Sequence, residues 1–157
     1  MNNTQLSVGF ARVDITPPLG SFMPGYYQDR RAKKILDPLQ INMVAFSDGK
    51  TKALVAQYDT EALSDSVANM MRDAIVKATG VERDAIILHA SHTHDGGFLA
   101  QKIDNGSAAQ ADKRATAVDH LYVDLCVSRS ADAFCIMPHN EIQQNTQRHR
   151  RREPYVN

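Results

Sequence analysis

His92 and His94 stand two residues apart in the run Ala90-Ser91-His92-Thr93-His94-Asp95-Gly96-Gly97. In an extended segment, both rings of such a pair project to one side, where a metal about 2 Å from a ring nitrogen can meet either or both. The chemistry this offers is metal-assisted hydrolysis, the ion activating water and polarising a carbonyl. Two loop histidines with ordinary hydrogen bonds are the plain alternative. Gly96 and Gly97 let the backbone turn away sharply and approach a ligand without a side chain between. His89 would point the other way and reads as a satisfied, buried imidazole. Asp59 can reach the same rim as a metal ligand, a partner fixing a histidine tautomer, or a general base, and equally as a capping or loop carboxylate. Asp14, ahead of Ile15-Thr16-Pro17-Pro18, reads as structural, its carboxylate holding turn amides.

These residues need elements to carry them. Residues 6–15 alternate loosely between apolar and small or polar, as a strand does, and Pro17-Pro18 stops it. Residues 20–38 show neither period 2 nor period 3.6 and read as a long surface loop. Residues 40–47 and 52–58 are strand-like and flank Asp48-Gly49-Lys50-Thr51, a hairpin turn. Ser64 or Ser66 caps a helix over 64–79 whose apolar positions Val67, Met70, Met71, Ala74, Ile75 and Ala78 recur at helical spacing, with Gly80 as its stop. Ala85-Ile86-Ile87-Leu88 is a continuous apolar run, which predicts a strand buried on both faces, extending over 85–91. The fold class expected is therefore α/β, a mixed β-sheet with packed helices and a βαβ unit over 52–91, its crossover right-handed. Ligands of such sheets bind beyond the carboxyl ends of the strands, which is where the histidine run falls.

Further along, residues 101–112 are polar and small and read as a mobile loop. Residues 113–137 read as a helix with Ala117, Leu121, Leu125, Val127, Ala131 and Phe134 on one broad stripe, ended by Pro138. Cys126 and Cys135 would lie about 13 Å apart along that helix, on opposite faces, and so form no disulfide. His120 and His139 fall at a helix surface and a helix end. Residues 143–157 hold few apolar anchors and read as a flexible tail, their run Arg148-His149-Arg150-Arg151-Arg152 solvated or facing an acidic partner.

The chain of 157 residues, 43% hydrophobic, suffices for one domain and one core. Eighteen Lys and Arg balance eighteen Asp and Glu, so no net field holds a nucleic acid. A start lacking basic residues and a long apolar run, with no apolar stretch near 20 residues, predicts a cytoplasmic protein with no transmembrane segment.

Val8-Gly9-Phe10-Ala11-Arg12-Val13-Asp14-Ile15-Thr16-Pro17-Pro18, then Gly25-Tyr26, Asp37-Pro38-Leu39, Tyr58-Asp59 and the histidine run resemble, in order, the N-terminal region of the neutral/alkaline (non-lysosomal) ceramidases. The resemblance covers residues 7–97 and weakens towards Pro138. It implies part of that family's N-terminal catalytic domain and a zinc-dependent hydrolase of the amide bond in an N-acyl lipid or related small-molecule substrate. By it, His92 would bind Zn2+ and His94 would sit beside the substrate or the attacking water, with Asp59 the other catalytic candidate. The family's remaining ligands, a second histidine, a glutamate and a tyrosine, lie well downstream and have no matching positions here. Asp95 stands where ceramidases usually carry Ser. A catalytic zinc needs three protein ligands plus water, so the resemblance leaves a fragment or truncated gene product as one reading and two others besides. One is a site completed by another subunit of a homo-oligomer. The other is a non-catalytic assembly module that keeps the fold. A further alternative, a metallo-β-lactamase-like hydrolase with its His-x-His-x-Asp-His loop, would need Asp95 as a ligand in an unexpected register, because Gly96 and Gly97 stand where that motif has Asp and His.

Overall fold

The structure, a computed structural model, describes residues 6–26, 28–99 and 117–135. Alternation along Ser7–Asp14 makes β1, whose Ala11 and Val13 turn inward. It pairs antiparallel with β2 (Gln40–Ser47), and β2 pairs antiparallel with β3 (Lys52–Tyr58). The hairpin between them is as expected: Gly49 takes φ 87°, and Asp48 Oδ1 accepts from the amides of Lys50 at 2.9 Å and Thr51 at 2.7 Å.

α1 (Asp65–Thr79) crosses from β3 to β4 (Ile86–Ala90), which lies parallel to β3 and completes the order β1-β2-β3-β4. Of the two candidate caps, Ser64 serves, its hydroxyl accepting from the Val67 amide at 3.4 Å. Gly80 closes the helix at φ 65°. A short 3-10 turn, Arg83–Ala85, starts β4 one residue later than the sequence predicts. The last described element is α2 (Ala117–Cys135).

One core joins the inward rows of the sheet to α1 and α2. Ile41, Met43, Leu54, Ala56 and Tyr58 meet Val67, Met71 and Ile75 from α1 and Tyr122, Val123 and Cys126 from α2. At about 1.5–3 kcal/mol for each large apolar side chain, this burial is the principal stabilising term. Asp14 behaves as the sequence suggests, Oδ1 accepting from the Thr16 amide at 2.7 Å.

Four expectations change. Among the described residues, β4 is an edge strand with Ile87 60% exposed, because Ile87 projects from the outer face of the sheet, which neither helix covers. His89, on that same outer side, is exposed rather than buried. The loop over 20–38 is irregular, yet Ser21, Phe22, Met23 and Pro24 are buried, pinned by a bridge between Phe22 and Arg31. On α2, Leu121 is 67% exposed; the inward face is Tyr122, Val123, Cys126 and Ser130. That rotation seats Ser130 Oγ 2.9 Å from Tyr58 Oη, both groups buried. Ser130 in turn donates to Cys126 O at 2.7 Å, so the phenol is the donor of the first bond. Cys126 is a free, buried thiol. The expected loop over 101–112, helix ends at 113–116 and 136–137, His139 and the tail over 143–157 lie outside the described residues, as do the side chains of His120 and Cys135.

Candidate metal centre

β3 and β4 run parallel and in register, with Tyr58 beside Ala90, so whatever follows each strand emerges at one rim. The Ser91 amide extends the ladder one step further, donating to Tyr58 O at 2.9 Å. Beyond that, Glu61 arrives from β3 and His92 and His94 from β4.

His92 turns with φ 64°, the left-handed region. For a residue with a Cβ this costs on the order of 1 kcal/mol. The segment is therefore not extended, and the two rings do not meet through period-2 spacing as the sequence suggests. They meet because the reversal at His92 and the turn at His94 fold one ring onto the other, centroids 4.9 Å apart and planes at 89°. Their Nε2 atoms lie 3.4 Å apart.

Backbone contacts fix this arrangement. His92 Nδ1 lies 2.9 Å from Glu61 O; a carbonyl only accepts, so Nδ1 carries the proton and Nε2 presents its lone pair. Gly25, at φ 88°, lies so close to His94 that an added Cβ would fall 2.4 Å from its Nδ1. Gly96 and Gly97 serve close approach rather than an unusual turn. A Cβ at Gly96 would sit 2.8 Å from Asp59 O, and one at Gly97 would enter the Tyr122 ring at 2.3 Å. Thr60 Oγ1 donates to Gly97 O at 3.1 Å and ties the histidine run to the end of β3.

Among the described residues, Glu61, His92 and His94 bring one ligand atom each to within 4.8 Å of one another. Two nitrogens bound to one tetrahedral zinc at about 2.05 Å are separated by about 3.3 Å, and the two Nε2 atoms stand at 3.4 Å. The tautomer, the spacing and the carboxylate all fit a divalent metal of the zinc type. Two imidazoles and a carboxylate leave a fourth position open for water, the pattern of catalytic rather than structural zinc.

Asp59 serves a different contact. Oδ2 accepts from the Gln40 amide at 3.0 Å and Oδ1 from Gln57 Nε2 at 3.2 Å, which clamps the end of β3 to β2. Glu61 is the residue that sequence reasoning passed over. The signal was present: it follows the parallel neighbour of the histidine strand by three residues, at the same carboxyl end.

The wall beside His94 is aromatic and charged. Tyr26 meets the His94 ring edge-on at 5.6 Å, Arg30 covers Tyr26 at 4.4 Å, and Arg30 Nη2 pairs with Asp95 Oδ1 at 2.9 Å. Behind this wall lies a cavity of about 850 Å3, lined by Met23, Leu36 and Leu39 on its apolar side and by Arg30, Thr93 and Asp95 near the histidines. The imidazoles flank that cavity without lining it.

No family model and no curated protein matches the chain. In fold it is similar to solved structures that include neutral ceramidase from Pseudomonas aeruginosa, with a TM-score of 0.66, 16% identity and 87% of this chain covered. A ceramidase complexed with C2 gives a TM-score of 0.62, 15% identity and 86% coverage. This chain spans 22% of the length of either protein. At such identity the likeness is one of fold: a mixed four-stranded sheet with two helices, matching part of a ceramidase.

Proposed function

We propose that this chain carries a metal-assisted hydrolytic centre for a linear amide, in an N-acyl lipid or a related compound, with zinc as the metal. The observation that carries the reading is the convergence of Glu61, His92 and His94, with Nε2 atoms 3.4 Å apart, at the shared end of two parallel strands. The fold likeness to ceramidases supports the substrate class. Bound there, zinc would supply a Lewis acid for the scissile carbonyl and a water that ionises near neutral pH.

In this reading His92 and Glu61 hold the metal, and His94 is the third ligand. Asp59 acts as a positioning residue: it fixes the end of β3 from which Thr60 and Glu61 leave. Tyr26 and Gly25 hold the His94 ring in place. The apolar side of the neighbouring cavity suits an acyl chain, and its volume is that of ordinary small-molecule sites.

A second reading leaves the metal to His92 and Glu61 and takes His94, whose Nε2 stands 3.4 Å from that of His92, off the ion. His94 would then stand beside the attacking water, take its proton and pass it to the departing amine as the C–N bond breaks. Metal analysis of purified wild type beside Glu61→Gln, His92→Ala and His94→Ala separates the two. Stoichiometric zinc in wild type, lost in all three variants, supports three ligands. Zinc kept in His94→Ala with amide hydrolysis abolished supports the proton carrier. A wild-type chain that takes up no zinc at micromolar free metal overturns both, and leaves a non-catalytic module of the same fold.

A further inference from the structure

The sheet has two faces, and among the described residues only one is covered. Both helices contribute to the core on the inner face. On the outer face the ladder aligns side chains in level rows, because directly paired residues project to the same side. Phe10 lies beside Val44, Val44 beside Val55 and Val55 beside Ile87, an apolar row across all four strands. Val8, Phe46 and Ala53 form a second row next to it. Phe10 is 67% exposed, Ile87 60% and Phe46 37%. On the other side runs an uninterrupted polar row, Arg12, Asn42, Gln57 and His89, with Arg12 Nε donating to Asn42 Oδ1 at 2.8 Å. A contiguous apolar area of this kind, bordered by polar residues, marks an interaction surface.

We propose that this face seats a second copy of the same chain, sheet on sheet, about a two-fold axis parallel to the strands. Such an axis reverses strand order and leaves each row at its own level. Phe10 then lies over Ile87 of the second copy and Val44 over Val55 of the second copy. In the polar row Arg12 faces the His89 imidazole, whose lone pair can accept from the guanidinium, and Asn42 faces Gln57. Every pairing is apolar on apolar or donor on acceptor, with no acidic side chain among these rows. Four strands about 4.8 Å apart and seven residues at about 3.3 Å each give a face of about 19 by 23 Å. Two such faces cover about 870 Å2 in flat projection, and the relief of side chains such as Phe10, Phe46 and Ile87 raises the accessible area hidden toward the ~1,000 Å2 a specific interface needs. The twist of the sheets sets the two strand directions about 30° apart, as in aligned sandwiches. This inference stands apart from the metal centre, which lies at the strand ends.

Sedimentation equilibrium of the whole chain tests it, with Phe10→Lys and Ile87→Glu as variants. Both positions are exposed, so circular dichroism and thermal unfolding of dilute samples should match wild type. Wild type is expected to be a dimer at micromolar concentration. Each variant alone should dissociate about 100-fold more readily, because it sets an unpaired charge against an apolar partner. An equimolar mixture of the two should recover dimer, since Lys at 10 then meets Glu at 87 across the axis. A monomeric wild type would overturn the proposal and give the face to another protein or chain segment. A dimer indifferent to both substitutions, or variants that do not rescue each other when mixed, would overturn it as well.

Discussion

At the scale of single residues, the placement of His92 and His94 depends on close approach of the backbone around them more than on their own conformational preferences. Gly25 is the clearest case, since it combines φ 88° with a His94 ring occupying the space a Cβ would need. Gly25→Ala should weaken zinc binding about 10-fold or more, the range for disturbed ligand supports, while the far-ultraviolet spectrum stays native; a zinc titration reads it. Gly97→Ala works on the other flank. Its Cβ would enter the Tyr122 ring, and overpacking of this kind costs about 1–3 kcal/mol, so urea unfolding should show a lower midpoint. By contrast, Arg30 and Asp95 form a pair with side chains 43% and 64% exposed. Arg30→Ala should change stability by under about 1 kcal/mol, because solvent screens such pairs.

At the scale of elements, α2 is held on the sheet by a polar contact as well as by apolar packing. Tyr58 of β3 donates to Ser130 of α2 in a buried setting, and Ser130→Ala strands that hydroxyl. The loss should be about 1–3 kcal/mol in chemical unfolding, whereas Tyr58→Phe with Ser130→Ala should recover part of it. Cys126, on the same face, is pushed up to about 12 by burial, with the neighbouring Tyr122 hydroxyl opposing the shift. Below its ordinary value of 9.0 the thiol keeps its proton in both folded and unfolded chains. Between there and about 12 only the unfolded chain releases it, so stability falls as pH rises through that window. Burial also raises Tyr58 above its ordinary 10.0, with the same sign and a later onset. Unfolding curves at pH 8 to 11 should therefore drift downward, and Cys126→Ala should flatten the early part of the drift.

At the scale of the whole molecule, the sheet divides the chain's tasks. The inner face builds the core, the carboxyl ends of β3 and β4 bring Glu61, His92 and His94 together, and the outer face is left apolar and open among the described residues. α2 closes the core over β1, β2 and α1. A chain stopped before residue 117 should thus expose Ile41, Met43 and Val67, bind a hydrophobic dye and lose its cooperative melt. Zinc, if it binds only the folded protein, should raise the melting temperature with concentration, and His92→Ala should abolish that rise.

Sequence by itself determined the strands, the hairpin at Asp48-Gly49, a serine cap at 64 or 66 and the Gly80 stop of α1, and singled out His92 and His94. Each of these is a local matter, governed by periodicity, turn chemistry and residue type within a few positions. Tertiary structure decided the rest. Whether Ile87 and His89 are covered depends on which face of the sheet the helices pack against, which the run over 85–88 cannot state. The face α2 turns inward depends on Tyr58 and Gly97, far away in the chain, and not on where its leucines fall. Asp59 was the conspicuous carboxylate, yet Gln40 and Gln57 engage it, while Glu61 reaches the histidines. That choice turns on the direction in which the chain leaves β3, and only the parallel pairing with β4 fixes it.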